Sequence, residues 1–329
     1  MLIGVSGLGS IGLQHITAFG QVPGVRLVAF DPDPGRRAAA AANPAVERTT
    51  GDLGELLEAG LDAFVVAGPD HVHPAQIRAA AERGLPLLVE KPVAASLAQA
   101  RAAAAGVAAT GTPALVGYVL RHRLAVQRTR QVLADGEIGE PVAVHVMLGA
   151  YGTIEAAVSR FGTKEPDRLY RDYSHEWDYL RWYFGPIARA FAAARTVTSV
   201  PHVESPNCVD GLLEFASGLR ATFHLDYLEP LGTRTVQVLG TGGTLLADFG
   251  RGTVDVRSRA HGRDRTVRHE LPEPAAAALA RQAAHLVAVA RGEAEPLVTL
   301  DDGVAALAAA EAVRAAAEAA AWRDLPPLH

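Results

Sequence analysis

Leu2-Ile3-Gly4-Val5-Ser6-Gly7-Leu8-Gly9-Ser10-Ile11-Gly12 is the stretch that decides the fold. Leu2 to Ser6 reads as a short apolar strand, and the glycine turn follows without a spacer. Beyond it Ile11, Ile16 and Phe19 recur at helical spacing until Gly20 and Pro23. Strand, glycine turn and helix form the context of a dinucleotide fingerprint. Gly7 permits the tight turn, Gly9 lets the backbone approach a pyrophosphate, and Gly12 lets helix and strand pack closely. The free N–H groups of the helix start then face the phosphates, with Ser10 and Ile11 in its first turn.

A glycine turn of this kind is weak evidence alone. Here a second strand, Val25 to Phe30, ends in Asp31, about 20 residues beyond the glycines, where an acid meets the adenosine ribose. Such an acid accepts hydrogen bonds from both ribose hydroxyls and repels a 2′-phosphate, which favours NAD over NADP. Arg36 and Arg37 nearby soften that preference. The competing reading, a turn acid in Asp31-Pro32-Asp33-Pro34-Gly35, suits Asp33 better than Asp31.

The alternation continues outward. Asp52 to Ala59 reads as a helix, Leu61 to Ala67 as a strand, Ala75 to Arg83 as a helix and Leu85 to Glu90 as a strand. Leu97 to Ala109 is helical again, and Thr112 to Tyr118 is a further strand. This rhythm predicts an α/β fold with a doubly wound parallel sheet. Glu90-Lys91-Pro92 stands where a buried strand stops. Ligands in such sheets bind beyond the carboxyl ends of the strands, so a lysine there can clamp an oxygen or carry a proton. His71 and His73, framed by Pro69 and Pro74, have no thiolate or carboxylate in register. They read as structural or cofactor contacts rather than as metal ligands.

Composition sets the outer limits. The 329 residues suggest two domains, and 49 % hydrophobic residues suffice for sizeable cores. A formal charge of −5 with no long basic run argues against nucleic acid as partner. No apolar stretch is long and uncharged enough to span a membrane. Met1 runs straight into the first strand without the basic flank of a signal peptide, so the expected location is the cytoplasm. Cys208 is the sole cysteine, which excludes disulfides within the chain and thiolate-rich zinc sites. No metal is expected.

With the glycine turn, Asp31, the turn Gly68-Pro69-Asp70-His71-Val72-His73-Pro74 and Glu90-Lys91-Pro92 in this order, the chain resembles the Gfo/Idh/MocA oxidoreductases, which include inositol and sugar dehydrogenases. The resemblance continues through Gly117-Tyr118-Val119-Leu120-Arg121 and Gly136-Glu137-Ile138-Gly139-Glu140-Pro141. It then reaches Asp172-Tyr173-Ser174-His175-Glu176-Trp177-Asp178. It implies a Rossmann domain over residues 1–118, followed over 119–329 by an α/β domain with a large, mostly antiparallel open sheet. The last helix, about 301–321, would pack back on the first domain. One face of the large sheet would join subunits into a homodimer or homotetramer. The implied activity is hydride transfer between nicotinamide and a secondary alcohol of a sugar, cyclitol or related compound. Gly7, Gly9, Ser10, Ile11, Gly12, Asp31, Arg36, Pro69, His71, His73, Glu90 and Lys91 fall at expected cofactor positions. Lys91 and His175 match the reacting lysine and histidine, and Arg121, Tyr151 and Asp172 fall at expected substrate positions.

Two departures stand out. The aspartate usual four residues before the histidine is replaced by Arg171, and Asp172 lies three before. Either the turn is one residue tighter and Asp172 takes the role, which is the expectation here, or the role is absent. His122-Arg123-Leu124 stands where relatives carry an aromatic and then a proline. Two other classes compete with the sugar reading: a non-catalytic nucleotide-binding sensor of the same fold, and a dihydrodiol-type dehydrogenase or reductase that needs no His175.

In the second half, Val142 to Met147, Ile187 to Thr196, Val209 to Phe215, Leu219 to Tyr227, Thr235 to Leu239 and Thr244 to Phe249 read as strands. Ser217-Gly218 and Gly240 to Gly243 read as hairpin turns. Helices are expected over Ala275 to Ala290 and Asp301 to Ala321. Ser174 is expected to cap a helix starting at His175. Asp178 is placed to orient the imidazole or to make a structural hydrogen bond. Arg160, Lys164, Arg168 and Arg171 share a loop with Glu155, Glu165 and Asp167, which reads as a solvated loop rather than an anion site.

Overall fold

The computed structural model describes residues 1–152, 167–197, 206–260 and 263–326, in two compact units. Arg160, Lys164, Glu155 and Glu165 lie outside the described residues. The first unit comprises Met1–His122 and Pro274–Leu307. Its sheet holds β1 (Leu2–Ser6), β2 (Arg26–Phe30), β3 (Val46–Thr50), β4 (Ala63–Val66), β5 (Leu87–Val89) and β6 (Ala114–Val116). The order is β3-β2-β1-β4-β5-β6, every pairing parallel. The order reverses direction between β1 and β4, which is where such sheets open a crevice for ligands. The central strands are apolar throughout because helices cover both faces.

Those helices are α1 (Ser10–Gly20), α2 (Pro34–Ala41), α3 (Leu53–Leu57), α4 (His73–Ala81) and α5 (Leu97–Thr110). The sequence reading passed over α2 and β3. The turn chemistry of Asp31 to Gly35 hid a helix whose N-cap is Asp33, its side chain accepting the Arg36 amide. Such a cap stabilises a helix by about 1 kcal/mol. β3 has only one fully buried residue, Thr50, so it carries no apolar run to read.

After a 3-10 turn, Val119–His122, the chain enters the second unit, Arg123–Glu273 with the segment from Ala308 onward. It opens with α6 (Leu124–Ala134), which the sequence reading also passed over. The sheet strands are β7 (Pro141–Gly149), β8 (Ile187–Arg195), β9 (Cys208–Phe215), β10 (Arg220–Asp226), β11 (Thr233–Gly240), β12 (Gly243–Asp248), β13 (Thr253–Ala260), β14 (Arg263–Glu270) and β15 (Arg323–Asp324). Their order is β14-β13-β12-β11-β7-β10-β9-β8-β15, antiparallel except between β7 and β10. The hairpins at Ser217-Gly218 and Gly240 to Gly243 join β9 to β10 and β11 to β12.

One face of this sheet packs Val146, Phe223, Val236 and Leu245 into a core, and Trp177 of α8 (Ser174–Phe184) meets Phe223 edge-on at 5.1 Å. Ser174 does not cap α8. The helix starts one residue earlier than expected, Tyr173 holds the N-cap position without a side-chain capping bond, and the Ser174 hydroxyl is buried without a partner among the described residues. A short helix, α7 (Arg168–Asp172), runs into that start. Of the last two helices, α9 (Ala275–Ala290) returns to the first unit, where Leu279, Ala283 and Leu286 join the core of Ile3, Val5 and Phe19. The residues of α10 (Leu300–Ala319) divide between the units at Leu307 and Ala308.

The other face of the second sheet leaves Met147, Leu239 and Leu246 exposed at 41, 46 and 43 %. It also carries a cross-strand network. His224 bonds Asp210 through Nδ1 at 2.7 Å and Asp226 through Nε2 at 2.9 Å. Burial lowers the His224 pKa, but the two carboxylate bonds outweigh it and the net shift is upward. A histidine whose folded pKa is raised stabilises the fold fully below its unfolded value, about 6.5, and that contribution disappears as pH climbs through the folded value. The melting temperature is therefore expected to fall as pH rises above about 6.5, and His224→Gln should flatten that slope in a pH series of thermal melts.

Candidate functional site

The first unit builds a nucleotide cradle from backbone. Gly7 adopts φ of +91°, and a Cβ there would stand 2.5 Å from the Gly68 nitrogen. A Cβ on Gly12 would lie 1.9 Å from the Gly7 carbonyl oxygen, so only glycine lets α1 approach β1 this closely. Gly9, by contrast, faces open space with no atom within 4 Å of a notional Cβ. The first turn of α1 has no acidic side chain and no side-chain cap, so its amides are available to an anion.

Asp31 closes the cradle. It is 2 % exposed, and its Oδ2 accepts the Leu8 amide at 2.8 Å while Oδ1 accepts the Asp33 amide at 2.9 Å. A carboxylate offers about four acceptor positions, so two remain for hydroxyls. Arg36 Nη1 lies 3.6 Å from Oδ2, and Arg37 Nη1 donates to the carbonyls of Asp31 and Pro32. The chemistry of this set fits a dinucleotide: glycine-only approach, uncapped amides and an acid fixed beside the loop.

Of the residues expected to touch cofactor, His73 and Glu90 are buried and bonded within the unit, and His71 and Pro69 lie on the surface. His73 is 1 % exposed, and its ring nitrogens face the carbonyls of Pro92 at 3.0 Å and Gly68 at 2.9 Å. Glu90 is 7 % exposed, and its carboxylate turns to His15 Nε2 at 2.8 Å rather than outward. His71 is exposed on the turn, as is Pro69. Lys91 is half-buried, its amide donating to Glu90 Oε2 at 3.2 Å. His15 was not foreseen. Its only signal was a place on the buried face of α1 shared with Gly12, Ile16 and Phe19.

Arg121 is 2 % exposed, and its guanidinium donates to the Leu297 carbonyl at 3.0 Å and to the Asp302 carboxylate at 3.2 Å. These bonds make it a buried brace within the first unit. The neighbouring His122 explains the missing aromatic. Burial, with the charges of His285, Arg281 and Arg121, lowers its pKa to about 3, so the ring stays neutral. It packs as an aromatic would, 5.4 Å from His285.

In the second unit, the end of β10 organises the remaining candidates. Asp172 Oδ2 accepts the Tyr227 hydroxyl at 2.7 Å, and Oδ1 accepts Arg168 Nε at 3.1 Å. Burial first, and then the Asp172 charge, push the Tyr227 phenol well above its usual range, so it remains a donor. Tyr173 donates to the Asp226 carbonyl at 2.7 Å, fixing the start of α8 to the same strand end. The Tyr151 amide bonds the Glu229 carbonyl at 3.0 Å, just beyond it. His175 sits half-buried in the first turn of α8. Inside that helix, Glu176 is fully buried and pairs with Arg234 of β11 at 3.0 Å. Asp178 is buried as well. Tyr227 and Arg168 lie 55 and 4 residues from their partner, and only the second spacing was visible in the sequence.

Among the described residues, Cys208, Asp210 and His224 bring possible metal ligands within 4.8 Å of one another. Both His224 nitrogens face carboxylates, and burial holds the Cys208 thiol above its usual pKa. The cluster reads as a cross-strand ion network.

Comparison with known proteins follows the same division. Residues 1–118 match the model of an oxidoreductase family with an NAD-binding Rossmann fold, and residues 126–246 match the GFO/IDH/MocA C-terminal domain. The chain is 30 % identical over 249 residues to scyllo-inositol 2-dehydrogenase (NAD(+)) of Bacillus subtilis (strain 168), covering 73 % of this chain and 72 % of that one. It is 28 % identical over 324 residues to D-apiose dehydrogenase of Paraburkholderia graminis, covering 93 and 84 %. Its fold superposes at a TM-score of 0.88 and 22 % identity on an oxidoreductase from Agrobacterium radiobacter in complex with NAD+, L-tartaric acid and magnesium, covering 99 and 98 %. A glycine cradle with its buried acid, a lysine turn beside it and these matches along both units lead to one assignment: the chain belongs to the Gfo/Idh/MocA family of NAD-binding oxidoreductases.

Proposed function

We propose that this oxidoreductase interconverts a secondary alcohol and a ketone on a cyclitol or sugar, with NAD preferred over NADP. The observation that carries the reading is the lysine turn Glu90-Lys91-Pro92, braced against the nucleotide loop through Gly68 and His73. The inositol and apiose dehydrogenase relatives support the substrate class. The bound dinucleotide supplies hydride acceptance or donation at its nicotinamide. His175 takes the hydroxyl proton as general base, and Lys91 hydrogen-bonds the same oxygen and stabilises its developing negative charge. Asp172, fixed by Tyr227 and Arg168, holds a carboxylate charge near the start of the histidine helix and orients the polyol. Residues 1–118 carry the nucleotide, and the chain beyond carries substrate recognition and assembly.

The enzyme acts in the cytoplasm as a homodimer or homotetramer joined through the open face of the second sheet. The exposed Met147, Leu239 and Leu246 support that surface. Light scattering on the purified protein should give twice or four times the chain mass, and Leu246→Glu should lower it. A monomer at micromolar concentration would remove the assembly from the reading.

A panel of cyclitols, aldoses, uronates and nucleotide sugars, read at the nicotinamide absorbance with NAD and NADP, tests the activity. Lys91→Ala should lower kcat by about a thousandfold while the Kd for NADH stays nearly unchanged. His175→Ala should lower kcat by about a hundredfold or more. Full turnover in His175→Ala would favour the dihydrodiol-type reading, and silence across the panel with intact NADH binding would favour a sensor. Replacing the ribose acid with Asp31→Ser should weaken NAD by about tenfold or more and narrow the preference over NADP, measured as the ratio of kcat/KM values.

A further inference from the structure

Lys91 lies in a closed ring of contacts that begins and ends on the nucleotide loop. One arm runs through α1. His15 shares the buried face of that helix with Gly12, and its Nε2 donates to Glu90 Oε1 at 2.8 Å. The other oxygen of the same carboxylate accepts the Lys91 amide at 3.2 Å. The second arm runs through α4. His73 reaches the Pro92 carbonyl with Nδ1 and the Gly68 carbonyl with Nε2, and Gly68 packs directly on Gly7. Backbone bonds from Glu90 to Val66 and from Gly117 to Val89 tie the same turn to its neighbouring strands.

The His15–Glu90 pair is an expensive thing to bury. His15 is 1 % exposed and Glu90 7 %, and taking a carboxylate and an imidazole out of water is unfavourable before their attraction is counted. Apolar residues of the same volume would hold the helix to the strand more stably. The surroundings are cut to fit the carboxylate. Gly117 leaves a space in which a Cβ would stand 2.8 Å from the carboxyl carbon and from both its oxygens. His15 Nδ1 is buried without a partner among the described residues, so Nε2 is the nitrogen that carries the proton in the neutral ring. A directed N–H bond onto a carboxylate, which in turn receives the Lys91 amide, constrains orientation in a way an apolar contact would not.

We propose that His15 is a positioning residue for Lys91, acting through the Glu90 carboxylate. The proposal rests on the reading of Lys91 as the oxygen clamp of hydride transfer. His15 sets the carboxylate, the carboxylate sets the Lys91 backbone, and His73 holds the far side of the turn. The helix that receives the pyrophosphate is thereby the same helix that aims the lysine.

The test compares wild type with His15→Leu, His15→Gln and Lys91→Ala on a polyol turned over in the panel. Four readouts are taken: kcat and KM, the Kd for NADH by fluorescence, the melting temperature, and the rate of Lys91 acetylation by acetic anhydride in the protein without added nucleotide. The chain contains one other lysine, Lys164, which serves as internal reference for labelling. His15→Leu should lower kcat by about ten- to a hundredfold, as a displacement of about 1 Å does, with KM and the NADH Kd within about threefold. Its Lys91 labelling should shift relative to Lys164. His15→Gln, whose amide can donate from near the Nε2 position, should restore both. Wild-type kcat and labelling in a folded His15→Leu overturn the proposal. So does a loss of kcat that tracks a rise in NADH Kd, or one that follows the melting temperature and is not restored by His15→Gln. If Lys91→Ala keeps its turnover, the functional reading fails instead, and the labelling result alone judges the clamp.

Discussion

The whole arrangement depends on how closely α1 approaches β1. At Gly12 the helix rests on the Gly7 carbonyl at a distance that no side chain tolerates. That contact sets the uncapped helix start at the glycine turn and turns His15 toward Glu90. It also brings the Leu8 amide to the Asp31 carboxylate. One steric constraint thus aligns the ends of three strands around a single crevice. A methyl group at Gly12 would push the helix outward, and a displacement of even 1 Å is enough to cost large factors in rate at a hydride-transfer centre.

The two units stabilise their polar groups by different means. In the first, most buried polar side chains near the site act on backbone, Asp31 on amides, His73 on carbonyls and Arg121 on a carbonyl besides the Asp302 carboxylate, with the His15–Glu90 pair as a side-chain contact among them. This sets geometry without long flexible side chains and holds the site on rigid strand ends. In the second, side chain meets side chain. Asp172 is shared between a tyrosine and an arginine, and Glu176 forms an ion pair with Arg234 from helix to sheet.

What the sequence made legible follows from distance along the chain. The glycine turn, Asp31 and the lysine turn were readable because each is a local pattern with a local cause. The hairpins at Gly218 and Gly240 to Gly243 were readable for the same reason. The strands β13 and β14 were passed over because arginine, aspartate and histidine crowd them: β13 keeps a short alternation, Val254 and Val256, and β14 at the sheet edge has Val267 alone among polar residues. The Ser174 cap was misread because α7 runs almost directly into α8, leaving Tyr173 rather than a serine at the boundary. The buried bond of Arg121 to Asp302 was not legible because the partner lies 181 residues away. His15 and Tyr227 stayed hidden for the same reason, with partners 75 and 55 residues distant.

The first unit is not made in one piece. Its core includes Leu279, Ala283, Leu286 and Val287 of α9, which cover the side of α1 that carries Ile16 and Phe19. During synthesis the ribosome delivers the glycine cradle early and its covering helix only after strands β7 to β14 of the second sheet. Until then the nascent Rossmann sheet presents an uncovered apolar flank, the kind of surface on which chaperones act and on which chains aggregate. A truncation after residue 273 would yield a fragment that holds the glycine turn and Asp31 yet lacks the hydrocarbon that covers α1.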